Sequence, residues 1–260
     1  MTFSSISQMG RRFKLTALVL VTGVTPLFLP VSAYTIEGKI EHQEALPSVD
    51  DSLRRGARFN ASLSDGDAQN NWVKVPDWLA GTWSVNEETA TLRQNFKTGE
   101  IDRKRQNFSA RQEFTYGSQK DRQEGIWHYI GVPYRSKTRL DSYQEFHDVK
   151  EKQFLVANQQ MVQFRTLMTV VRVSNSNGRI TDTFQQESIT SYRPLEDGVM
   201  QLTASNKTFD AGGRALYQQD NEARIKRFRH FSPVNRKDGK DLKALFIDYL
   251  AANGMSNLIP

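Results

Sequence analysis
From Trp72 to about Phe231 the chain alternates between apolar and polar positions and is rich in Thr, Val, Tyr and Phe. That pattern suits a half-buried pleated surface. The clearest case is "MVQFRTLMTVVRV". Val162, Phe164, Met168 and Val170 share one face there, and Gln163, Arg165 and Thr169 share the other. "SNSNGR" follows, and its Asn177-Gly178 step is a strong hairpin signal. "ITDTFQQESITSYR" then runs back with Ile180, Phe184 and Tyr192 in step. Further strands are predicted over 82–92, 107–116, 124–131, 138–148, 151–157, 198–208 and 215–230. About ten short strands at this spacing imply an all-β, antiparallel barrel or sandwich rather than a doubly wound α/β fold.

The period changes once, near the end. In "DGKDLKALFIDYLAANG", Leu242, Leu245, Phe246, Tyr249 and Leu250 build one apolar helical stripe. Asp238 or Asp241 can cap its start, and Asn253-Gly254 fits a left-handed stop. This C-terminal helix is expected to pack on the outside of the sheet, with a partner-binding helix as the alternative.

Two segments precede the β region. Residues 1–33 read as a signal peptide, with Arg11, Arg12 and Lys14 ahead of "LTALVLVTGVTPLFLP" and a small-residue site ending at Ala33. A membrane anchor is the alternative, but the run is broken by Pro26 and Pro30 and falls short of the ~20 residues a span needs. Residues 34–71 hold few aromatics and many Ser, Asp, Asn and Gly, so a loose N-terminal arm with a short helix near Asp51 to Arg55 is expected. The domain is then 72–260.

The boundary stretch "WVKVPDWLAGTW" places three tryptophans within a dozen residues. Pro76 presets a turn that Asp77 can close, Gly81 permits a close approach, and Trp83 is the first inward residue of a strand. This Gly-x-Trp step resembles the lipocalin and wider calycin superfamily. The resemblance implies a calycin-like (lipocalin-like) barrel pinned at its base by Gly81, Trp83 and an arginine from the last long strand. "EARIKRFRHF" offers Arg227, which shares a face with Ile225, and Arg229 shares that face too. A mid-chain turn motif of the family is not evident. The stretch from Trp72 to Pro260 is also similar to exported proteins of cyanobacteria, a resemblance that brings no activity with it.

Charge and candidate chemistry narrow the function without choosing it. The chain is +6 overall, but three basic and no acidic residues lie in the leader, so the remainder is +3. That is too mild to argue for nucleic acid. The absence of cysteine removes disulfides, thiolate metal sites, a lipid-anchored cysteine and a cysteine nucleophile. No HExxH, no Gly-x-Ser-x-Gly and no phosphate loop is present. Glu145 and His147 in "EFHD" share a strand face, either as half a metal site or as a solvated face. Interleaved Arg and Phe in "DRKRQNFSARQEF" and "RIKRFRHF" read as an outer barrel face or as an anion-binding patch.

"GIWHYIGVPY" is the densest aromatic cluster, with Trp127 and Tyr129 projecting one way and Ile126, His128 and Ile130 the other. Trp127, Tyr129, Tyr143 and Phe164 are therefore the candidate ligand-binding wall, against a plain-core reading of the same aromatics. Polar residues on both faces of "TRLDSYQEFHD" and "TDTFQQESIT" disfavour a purely apolar pocket. The expectation is an exported binding protein, periplasmic or secreted (thylakoid lumenal in a cyanobacterium), for a small amphipathic or polar ligand. It carries no cofactor, no metal, no nucleic acid and no membrane span after cleavage. The alternative is a non-enzymatic envelope or assembly factor with a side-chain-filled barrel. No catalytic residue is assigned, and a carboxylate pair for hydrolysis stays open.

Overall fold
The computed structural model describes residues 41–60 and 68–260, so the expected signal peptide lies outside the described residues. In chain order the strands are β1 (Trp72–Val75), β2 (Gly81–Asn95), β3 (Ile101–Asp102), β4 (Gln106–Tyr116), β5 (Gln119–Lys120), β6 (Ile126–Tyr129), β7 (Tyr134–Arg139), β8 (Tyr143–Ala157), β9 (Val162–Ser174), β10 (Ile180–Glu196), β11 (Val199–Asp210) and β12 (Ala215–His230), followed by a two-residue hairpin pair, β13 (Arg236–Lys237) and β14 (Lys240–Asp241). A helix, α1 (Leu242–Ala252), follows. The protein is mostly β, with antiparallel sheets and one short α-helix near its C-terminus.

Nine strands make one sheet in the order β4-β2-β12-β11-β10-β9-β8-β7, with β3 also paired to β2. Consecutive strands from β8 to β12 are neighbours, because tight turns return each strand beside the last. At Asn177-Gly178 the glycine takes φ 67° and its amide donates to the Ser174 carbonyl at 3.1 Å. Among the described residues no ladder joins β4 to β7 or β8. Side chains of β2, β4 and β8 to β12 nevertheless line one cavity. The sheet therefore curls until its two ends face each other across a seam, and a closed barrel is not formed by hydrogen bonds.

The strand boundaries between 124 and 157 differ from expectation. The predicted strand 138–148 contains a turn at Leu140 to Ser142, where the Leu140 amide donates to the Tyr143 carbonyl at 2.9 Å. β7 ends before this turn and β8 starts after it, and β8 then runs unbroken past a bulge between Val149 and Glu151. The turn holds neither Gly nor Pro, and Asp141-Ser142 is its only local signal in the sequence.

The base of the curled sheet is filled from below. Leu79 donates its amide to the Pro76 carbonyl at 3.0 Å, closing the turn that aims β2. Trp83 is 1% exposed, and its indole Nε1 donates to the Leu79 carbonyl at 2.7 Å. Arg227, paired in register with Trp83, sets its Cζ 5.1 Å from the Trp83 ring centroid. Its Nη2 donates to the Trp78 carbonyl at 3.0 Å, and Nη1 reaches Asp197 at 3.3 Å. A bulge between Arg227 and Arg229 leaves Arg229 exposed, so the backbone itself selects which arginine covers the indole. Gly81 takes φ 132°, and a Cβ there would lie 2.6 Å from the Arg229 carbonyl oxygen.

A second sheet, in the order β1-β6-β5, lies at this base. Its pleat sends Val75 and Ile126 into the main core with Trp83, Tyr116, Phe164 and Ile225. The opposite face meets the helix, where Trp72, Trp127 and Tyr129 cluster with Leu242, Phe246 and Leu250. The helix thus packs on this small sheet rather than on the outside of the large one. Asp241 caps it by accepting from the Ala244 amide at 3.0 Å. No helix among the described residues is long and apolar enough to cross a membrane.

Of the segment 34–71 expected as a loose arm, residues 34–40 and 61–67 lie outside the described residues, and residues 41–60 are docked rather than loose. They lie along the outer face of the large sheet, with Leu46 and Val49 buried. Leu53, Ala57 and Phe59 cover Phe146, Val171, Val173 and Ile180. Backbone bonds fix the path: Leu46 N to Gly213 O at 2.9 Å, Val49 N to Ala211 O at 2.9 Å and Gly56 N to Ile180 O at 2.8 Å. Gly213 takes φ 84°, and any Cβ there would overlap the Leu46 carbonyl. The short helix is present as one 3-10 turn, Asp51–Leu53. Composition alone misleads here, because a segment with few apolar residues docks when each of them meets a pocket already built by the sheet.

The arm also carries a buried ionic clamp. Glu187 has no exposed side-chain surface; it bonds His42 Nδ1 at 2.9 Å, accepts from the Gln43 amide at 2.8 Å and pairs with Arg165. Burial by itself would raise this carboxyl, but the bonds from His42, Gln43 and Arg165 outweigh it and hold it below the ordinary range.

Two outcomes are expected. Trp83→Ala should lose ~3–5 kcal/mol in denaturant melts, since a fully buried indole leaves a large void; a loss under ~1 kcal/mol would mean the ring pins nothing. For Glu187, the folded chain releases its proton more readily than the unfolded chain. Its stabilising contribution is therefore complete above the ordinary glutamate pKa (~4.3) and lost as pH falls below it. Glu187→Gln should flatten that part of the acid-unfolding curve, and protease should then cut residues 41–60 faster at neutral pH.

Candidate functional site
Alternation along each strand decides which side chains the curled sheet encloses. The enclosed face defines a cavity of about 530 Å³. Its floor is apolar and aromatic, made by Val85, Phe114, Tyr192 and Leu202. Phe114 and Tyr192 stand 5.8 Å apart, and the Tyr192 hydroxyl lies 3.4 Å from that of Tyr116 just below. Burial pushes both phenols up, Tyr116 with a further contribution from the Tyr192 charge.

Above the floor the walls are mixed, with a belt of polar side chains set among Phe108, Met168, Val170, Phe184 and Ala204. Gln186 Nε2 donates to Ser188 Oγ at 3.1 Å and to Asn206 Oδ1 at 3.2 Å, and Ser188 Oγ donates to the same Asn206 oxygen at 2.6 Å. Gln219 Nε2 donates to Asn221 Oδ1 at 2.8 Å. This belt satisfies amides that would otherwise be costly to enclose. Glu88 projects beside Asn221, and loss of hydration raises its carboxyl, with the Asn221 hydrogen bond acting the other way. Ser109 and Gln112 line the cavity and are also exposed, so the space reaches solvent along β4.

Across the cavity, Glu145 accepts from Arg172 Nε at 2.8 Å and bonds His147 Nε2 at 2.7 Å. Burial would raise the Glu145 carboxyl, but Arg172 and His147 hold it low. Arg172 also stacks over Tyr143 and Phe184, at 5.5 and 5.0 Å from their centroids. A guanidinium at this place opposes a bound metal cation. Among the described residues no group of three or more His, Asp or Glu side chains converges as metal ligands.

Beneath the floor lies a basic, aromatic layer. Lys152 places its ammonium 4.6 Å from the Phe164 centroid, 5.3 Å from Tyr116 and 5.6 Å from Phe154. Burial, then the nearby Lys237 charge, pulls its pKa down to about 8. His128 is buried against Tyr116, its ring 5.2 Å away, and burial followed by the Lys152 and Lys237 charges keeps it neutral.

The sequence-derived wall is therefore dispersed. Trp127 and Tyr129 sit under α1 and touch neither floor nor wall; the Trp127 indole donates to Asp121 at 2.8 Å. They face the helix rather than the cavity because β6 pairs with β1 and β5 instead of joining the large sheet. Phe164 belongs to the core below the floor, and Tyr143 stands near the rim beside Arg172. Glu88, Asn206, Asn221, Arg172 and Lys152 are not among the residues that the sequence singles out. Their signal is a polar residue on an otherwise inward-facing strand register, visible only once the inward face is known. Comparison with known proteins finds no matching family model, no matching curated protein and no matching solved structure.

Lys152 supplies a check on this layer. Its folded-state amine gives up the proton near 8, whereas an unfolded lysine holds it to ~10.4, so stability should rise with pH across that interval. In urea melts at three pH values, Lys152→Met should abolish the rise and be more stable than the parent at pH 7. An unchanged slope would place the amine in water.

Proposed function
We propose that the protein is an exported carrier for a small amphipathic ligand, organised like a calycin with its ligand inside the curled sheet. The observation that carries this reading is the cavity itself, with an apolar aromatic floor and a polar belt above it. Pockets of ~300–1,000 Å³ with a few convergent polar groups are the usual size and chemistry of small-molecule sites. The Trp83–Arg227 stack at the opposite end supports the calycin likeness, because it closes the base and leaves the other end free for entry. Binding without chemistry fits the ionic pattern: Glu145 is committed to Arg172 and His147, and Glu88 is bonded to the Asn221 amide rather than to a second carboxylate.

Native mass spectrometry of protein purified from the compartment it is exported to should show a reproducible added mass of a few hundred daltons. Filling the cavity by Ala204→Trp should remove that mass while the fold persists by circular dichroism. A bare mass for the parent protein from every preparation would overturn the carrier reading.

A further inference from the structure
The charges around the cavity run against those of the chain. The chain is +6, yet no lysine or arginine lines the cavity. The ionisable lining groups are Glu88, Glu145, His147 and Tyr192. Arg172, bonded to the lining residue Glu145, is shared between that carboxylate and Asp182, the latter at 3.5 Å, and Arg93 outside the lining is engaged by the amide oxygens of Gln219 and Gln106. Glu145 is neutralised in the same network. Glu88 differs. It forms no ion pair among the described residues, it is half-buried, and its contact is the neutral amide of Asn221.

A carboxylate held partly out of water without a cation is a standing cost, and a ligand that supplies the cation removes it. Around Glu88 the register sets Phe108 directly opposite on β4, and Phe114 and Tyr192 lie below. Aromatic faces beside a carboxylate are the chemistry that recognises substituted ammonium groups.

We propose that the cavity selects organic cations, an amine or quaternary ammonium head paired with Glu88 and an apolar tail directed to the floor formed by Val85, Phe114, Tyr192 and Leu202. The proposal rests on the carrier reading and adds the ligand class to it. The same charge distribution disfavours fatty-acid-type anions, which would meet Glu88 and Glu145 with no lysine or arginine in the lining.

Three probes with one ten-carbon tail separate the possibilities: decylamine, decanol and decanoate, titrated by calorimetry below their micelle concentrations at pH 7. Decylamine should bind saturably and at least tenfold more tightly than either of the others. Glu88→Gln should cut decylamine affinity at least tenfold and leave decanol unchanged. This variant also reports on folding, since removing a desolvated charge should leave the melting temperature equal or higher. Equal binding of the three probes, tighter binding of decanoate, or decylamine binding indifferent to Glu88→Gln would overturn the cation proposal while leaving the carrier intact. Failure of all three probes, together with a bare native mass, would overturn both.

Discussion
The indole of Trp83 under the Arg227 guanidinium is the contact on which the rest of the architecture depends. It joins the first long strand to the last, β2 to β12, at the point where the curled sheet needs a base. The stack alone contributes only ~1–2 kcal/mol when desolvated. Its larger effect is positional. Arg227 also holds the Trp78 carbonyl, and Trp83 holds the Leu79 carbonyl, so one pair of side chains fixes the turn that enters β2. Gly81 lets that turn approach β12 within a distance that no side chain tolerates.

With the base fixed, the interior must resolve a conflict between curling and polarity. A sheet that encloses its own inner face buries every second residue, and here many of those residues are amides, hydroxyls and carboxylates. Gln186, Ser188, Asn206, Gln219 and Asn221 pair with one another along the wall, which lets the space above the aromatic floor stay open. Below the floor the solution is different: Lys152 and His128 are surrounded by rings, and their cationic forms are disfavoured. The interior is thus graded from a basic aromatic layer to an acidic, amide-rich one.

The outer face is stabilised by segments that have little structure of their own. Residues 41–60 cross β8 to β11, burying Leu46 and Val49 and bringing His42 to Glu187. The helix and the small sheet do the same at the base, where Trp72, Trp127 and Phe246 meet. Both additions cover apolar surface that a single curled sheet leaves exposed.

Local physics determined much of this from sequence. Alternation in 162–173 and 180–193, the Asn177-Gly178 turn and the helical stripe from Leu242 to Leu250 depend on neighbours within a few residues, and each forms the expected element. The inward pairing of Ile225 with Arg227 follows from the same period of two. Tertiary structure decided what those rules do not reach. Whether β6 joins the large sheet or a separate one moved Trp127 and Tyr129 from a cavity wall to a helix interface. Whether a polar arm finds pockets depends on side chains more than a hundred residues away, as His42 and Glu187 illustrate. The cavity arises only when β4 and β8, distant in sequence and unpaired by hydrogen bonds, are brought face to face. Sequence periodicity fixes which side of a strand a residue occupies; only the curl of the whole sheet decides what that side encloses.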